Sequence, residues 1–83
     1  MEIGEIKELA KRFTPEEIEG CIAEQLETGK NICLRNESTE KIISELSKAR
    51  FVRDMMERGY SLTDALRELA RRIRQIQSFV KEP

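Results

Sequence analysis

The chain has 83 residues, of which 39% are hydrophobic and 37% charged, with 15 basic and 16 acidic side chains and no histidine. That length holds one small domain with a modest core, so residues 1–83 are read as a single helical domain. A net charge of −1 and a pI of about 5.6 are far from the strongly basic footprint of a nucleic-acid binder. The absence of histidine removes the usual neutral-pH acid–base group.

The charge is unevenly spread. Residues 1–40 carry five basic and ten acidic side chains, and residues 41–83 carry ten basic and six acidic, so the halves stand at −5 and +4. Such a split can steer a partner or pair two copies head to tail. The acidic start, Met1-Glu2-Ile3-Gly4-Glu5, lacks the apolar run of a signal peptide. No stretch approaches the roughly 20 apolar residues of a membrane span. A cytoplasmic protein without membrane contact is the expectation. Cys21 and Cys33 suit a reducing compartment, with Cys21 packing as a small hydrophobe; a disulfide between them is the alternative. Two cysteines without histidine cannot complete a structural zinc site without borrowed ligands, and no cofactor is expected.

The first helix is expected from Glu2 to Arg12, with Ile3, Ile6, Leu9, Ala10 and Phe13 on one face and Glu8 placed to pair with Arg12. The next start has the clearest local signal. Thr14 offers an N-cap hydroxyl, Pro15 stands at the first helical position, and Glu17 completes a capping box. Phe13 and Ile18 occupy the positions of a hydrophobic staple. Ile18, Cys21, Ile22 and Leu26 continue the apolar stripe to a stop at Gly29. Gly20 inside this helix suggests a close crossing. Residues 29–36 resist a helical reading; a loop tucking Ile32 and Leu34 into the core is expected, with a short extended segment as the alternative.

A third helix should run from Ser38 or Thr39 to Arg58, burying Ile42, Ile43, Leu46, Ala49, Val52 and Met56. Arg53 lies beside that stripe, placed to reach water or a carboxylate. Gly59 ends the helix, and Tyr60 can close a Schellman motif on Met55. The fourth helix begins with Ser61 as N-cap and Asp64 at the third position. Leu62, Leu66, Leu69, Ile73, Ile76 and Val80 are then spaced 4, 3, 4, 3, 4, a heptad seam flanked by Ala65 and Ala70.

Signals of chemistry are weak. Glu16, Glu17 and Glu19 sit where a helix dipole favours carboxylates. Thr28-Gly29-Lys30-Asn31 fails as a phosphate loop, because Glu24 stands where the first glycine belongs and Asn31 where Ser or Thr belongs. The acidic residues lack the spacing of a calcium loop. An enzyme is therefore not expected.

Gly59-Tyr60-Ser61 between two helices, followed by Arg67, Arg71, Arg72 and Arg74, has the look of a helix-turn-helix unit. Against it, Asp64 stands where a recognition helix would meet phosphate, and the preceding helix is long. In the heptad reading, Arg67, Arg71 and Arg74 form an outward stripe opposite the seam, and Arg72 flanks the seam, where charge can select a partner. The expected fold is thus all-α: a small four-helix chain with a long antiparallel C-terminal helical hairpin that completes a bundle as a dimer. The expected function is a protein-interaction or assembly module, adaptor- or regulator-like. It would use the seam for homodimerisation and the four arginines for a protein partner with an acidic surface. The alternative is a nucleic-acid-binding regulator using the arginine-rich last helix.

Overall fold

The computed structural model describes residues 3–35 and 37–80, apart from the side chains of residues 76–80. The described residues form four helices: α1 (Ile3–Arg12), α2 (Pro15–Thr28), α3 (Thr39–Glu57) and α4 (Leu62–Val80). No strand occurs among the described residues, so the chain is all-α. The principal extents are 36 × 35 × 19 Å. The thin direction is about two helix diameters of ~10 Å, so the molecule is a slab. Its hub is α3, against which α1, α2 and α4 each pack. Ile6, Ile18, Leu46 and Val52 are the largest fully buried side chains. No helix among the described residues is long and apolar enough to cross a membrane.

On α1 the buried positions are Ile6, Leu9 and Ala10, while Ile3 is exposed. Glu8 pairs with Lys11 at 3.9 Å. A tertiary contact satisfies one carbonyl of the last turn of α1. Arg53 on α3 donates from Nη1 to the Ala10 carbonyl at 3.1 Å and from Nε to Glu57 at 3.1 Å. One guanidinium thus meets the carboxylate anticipated for it and also a helix-end acceptor, a group that intrahelical bonding leaves free.

The capping box of α2 is present. Glu17 N–H donates to Thr14 Oγ1 at 3.1 Å, and Thr14 N–H donates to Glu17 Oε1 at 2.9 Å. Gly29 closes the helix with φ of 78°, in the left-handed region where a side chain would be strained. The buried stripe differs from the expected one. It runs through Pro15, Ile18, Cys21 and Gln25, and Leu26 is 67% exposed. The cause is the chain after α2, which folds back over the Cys21–Gln25 side. A step of three residues from Ile18 to Cys21 and four to Gln25 turns the buried face away from Leu26. Gly20 does not serve a crossing within the chain, since nothing would lie within 4 Å of a Cβ there.

Cys21 and Cys33 are joined in a disulfide, with Cα atoms 6.2 Å apart. This corrects the expectation of free thiols. Cys21 is buried as anticipated, but as half of a cross-link that pins the loop to α2. The loop seats Leu34 in the core and leaves Ile32 71% exposed. Asn31 organises the turn: its Oδ1 accepts from Cys33 N–H and Leu34 N–H, each at 2.8 Å. Its amide donates to Gln25 Oε1 at 2.7 Å and to the Leu34 carbonyl at 2.9 Å. Gln25 donates onward to Thr39 at 2.9 Å. A compact turn of this kind can bury one apolar side chain of the pair, and Leu34 takes the place.

Ser38 caps α3 by accepting from Lys41 N–H at 3.2 Å. The far end is a Schellman motif, as expected. Tyr60 N–H donates to the Met55 carbonyl at 3.1 Å, and Gly59 N–H to the Met56 carbonyl at 3.0 Å, with Gly59 at φ 105°. Met55 is buried and Met56 only partly so. Glu45 is the odd member of the α3 core. It is 2% exposed, its Oε1 lies 3.5 Å from Lys48 Nζ, and its Oε2 has no hydrogen-bond partner among the described residues. A buried carboxylate with one oxygen unsatisfied destabilises. Glu45→Leu is therefore expected to raise the unfolding free energy by about 1–2 kcal/mol, read by urea denaturation. A loss of stability would instead assign Glu45 a compensating role in the core.

Candidate interaction surface

The surface of α4 has two sides. Ser61 caps the helix, accepting from Asp64 N–H at 3.0 Å. The apolar side faces α3, but its centre is shifted from the expected seam. Ala65 and Leu69 are buried, whereas Leu62, Leu66 and Ile73 are partly buried against the core. Alanine fits under the close approach of α4 to α3, and the larger leucines fall to either side. The remaining seam residues, Ile76 and Val80, have side chains outside the described residues.

The opposite side carries the arginines, most of them engaged with acidic residues of the same helix. Arg67 lies 3.6 Å from Asp64. Arg71 pairs with Glu68 through a close charge-assisted hydrogen bond, and Arg72 lies 3.6 Å from the same carboxylate. These are the i+3 and i+4 pairings that helix geometry allows. The Arg71 hydrogen bond holds the Glu68 carboxyl below its ordinary value, and the same bond raises Arg71. Because the folded carboxyl is depressed, its contribution is present above the ordinary carboxylate range. It is lost as pH falls through the folded value. Both groups are solvent-screened, so the effect is small. Arg67, Arg71 and Arg74 are exposed, as an outward stripe requires.

Arg72 stands apart from the stripe. Its guanidinium lies 5.1 Å from the centroid of the Phe51 ring on α3, within cation–π range. Phe51, Leu69 and Ile73 form the apolar floor of a groove between α3 and α4, with Ser44, Ser47, Lys48 and Arg72 around it and a volume of about 340 Å³. The heptad spacing indicated Arg72 as a flanking charge but did not single out Phe51. The signal was present: Ser44, Ser47, Lys48 and Phe51 recur at three- and four-residue steps along α3, a second face beside the buried one.

A second concavity of about 480 Å³ lies between the end of α2 and the loop, lined by Gln25, Asn31, Leu34 and Ile42 with Lys30, Arg35, Glu24 and Glu37 among the outer residues. The Asn31 side chain makes four hydrogen bonds to this chain. Its polar groups are thus committed to holding the loop, which makes this concavity a feature of loop architecture. Comparison with protein-family models, curated proteins and solved structures gave no match.

Proposed function

We propose that the chain is a small helical interaction and assembly module, adaptor- or regulator-like, that acts as a homodimer. The carrying observation is the state of α4. Its larger apolar residues Leu62, Leu66 and Ile73 are only partly buried, and an open apolar groove runs along its boundary with α3. A thin slab leaves such a helix covered on one side, and a second copy supplies the missing cover. In this proposal α3 and α4 act as an antiparallel hairpin, and Arg67, Arg71 and Arg74 face a protein partner with an acidic surface.

The nucleic-acid reading has less support. Asp64 stands in the first turn of α4, where a recognition helix would meet phosphate, and a net charge of −1 is far from a basic footprint. Against the cytoplasmic location expected from the sequence stands the closed Cys21–Cys33 bridge, since disulfides are rare in reducing compartments.

Sedimentation equilibrium tests the assembly. A mass of two chains that dissociates on dilution is the expected result; one chain at every concentration overturns it. Titration with duplex DNA and with RNA at low and moderate salt addresses the rival. Binding that weakens steeply with salt and is lost in an Arg67/Arg71/Arg74→Glu variant would replace the module reading with nucleic-acid recognition.

A further inference from the structure

We infer that the groove between α3 and α4 receives the outer face of α2 from a second copy of this chain. The inference rests on the assembly reading and specifies which surfaces meet. The groove supplies an apolar floor in Phe51, Leu69 and Ile73 and two cations, Lys48 and Arg72, which also lie 3.5 Å from Glu45 and 3.6 Å from Glu68 of their own chain. The Arg72 side chain remains 58% exposed, so its charge faces any occupant.

The outer face of α2 has the matching chemistry. Glu16, Glu19, Ala23 and Leu26 recur at three- and four-residue steps, with Glu27 beside them, and all are exposed. Leu26 is 67% exposed and is the large apolar side chain of this face. Next to it, the space in front of Gly20 is open, and Ala23 adds only a methyl group. A second helix or groove wall can therefore approach the α2 backbone closely. Leucine set among carboxylates is complementary to an apolar floor set among cations, and such complementarity selects partners. Glu19 already lies 3.4 Å from Arg50 of its own chain, so Glu16 and Glu27 are the carboxylates that acquire a counterpart.

The alternative dimer, α4 against α4, is electrostatically poorer. It would bring Arg72, which flanks the seam, towards its own copy, and like charges in juxtaposition oppose association. Pairing α2 with the groove instead joins the −5 half of one protomer to the +4 half of the other. The contact joins two different surfaces. Made reciprocally it gives a closed dimer with two such contacts; made once it leaves a free groove and a free α2.

Complementation tests the pairing. Leu26→Asp spoils α2 and leaves the groove intact. Arg72→Glu spoils the groove and leaves α2 intact. Circular dichroism first establishes that each variant folds. Each alone is expected to weaken self-association by about tenfold or more, since each puts repulsion or a desolvated charge into the contact. Mixed together, they are expected to associate, because the groove of the Leu26→Asp chain accepts α2 of the Arg72→Glu chain. An interface that pairs like with like gives no such recovery. A dimer that tolerates Leu26→Asp, or variants that fail to complement, overturns this docking while leaving the assembly reading intact. A native chain that is monomeric throughout overturns both. Should Arg72→Glu fail to fold, Phe51→Lys takes its place on the groove side.

Discussion

Replacing both cysteines with alanine is expected to lower the unfolding free energy by about 3 kcal/mol. The bridge spans a separation of 12 residues and ties a loop to the middle of α2. Without it the unfolded chain regains the freedom to separate those ends, while the folded loop keeps only its hydrogen bonds. Alanine is the right replacement at position 21, where burial to 5% exposure would leave a serine hydroxyl seeking a partner. Urea titration of the native and double-alanine chains measures the difference, and a reducing agent added to the native chain should give a similar loss. A change below about 0.5 kcal/mol, the range of ordinary surface substitutions, would show that the bridge constrains nothing the loop does not already hold.

Asn31→Ala is the second large effect, expected at about 3 kcal/mol. It deletes four hydrogen bonds and leaves the Leu34 N–H and carbonyl and the Gln25 amide oxygen searching for partners, at about 1–3 kcal/mol for each group that stays buried. Part of that cost is relieved where the loop shifts to admit water. Asn31→Asp separates the two halves of the network. It keeps both accepted bonds but sets a charged oxygen against the Gln25 and Leu34 oxygens. At neutral pH it should therefore be no milder than alanine. Urea titration again reads the loss, and an unchanged midpoint would show that Gln25 and the loop backbone find other partners. Because Asn31 and the disulfide hold one loop, their effects should not add. The triple variant measures that coupling directly.

Much of the architecture was legible because it is written in local signals. Thr14-Pro15-Glu16-Glu17 specifies a helix start through hydrogen bonds that reach three residues. Gly59-Tyr60 specifies a stop through a backbone conformation open to glycine. The heptad on α4 located a helix with an apolar side, and the side-chain pairs Asp64–Arg67 and Glu68–Arg71 follow from spacing alone.

What was not legible depends on the chain meeting itself at a distance. Nothing local to α2 reveals that Gln25 is buried and Leu26 exposed. That inversion arises because residues 31–34 return over one side of the helix and bring amide partners for a buried glutamine. Ile32 and Leu34 have equal claims to the core by composition, and the Asn31 turn decides between them. The disulfide is a matter of two sulfur atoms meeting across a fold-back that spacing cannot specify. The groove stayed hidden for the same reason. Its floor joins Phe51 to Leu69 and Ile73, and each side alone reads as part of an amphipathic helix.

The hub arrangement also orders the local stabilities of the molecule. Because α1 and α4 each rest on α3, whereas α2 also holds its loop through the Cys21–Cys33 bridge, the chain divides into a cross-linked body of α2, loop and α3 and two outer helices. In hydrogen-exchange language the outer helices are expected to open at lower free energy than that body, α4 among them. Its departure would uncover Ala65, Leu69 and the α3 face beneath them while leaving the bridged body folded. The helix carrying the arginines is thus one of the two that can leave without disturbing the bridged part of the chain.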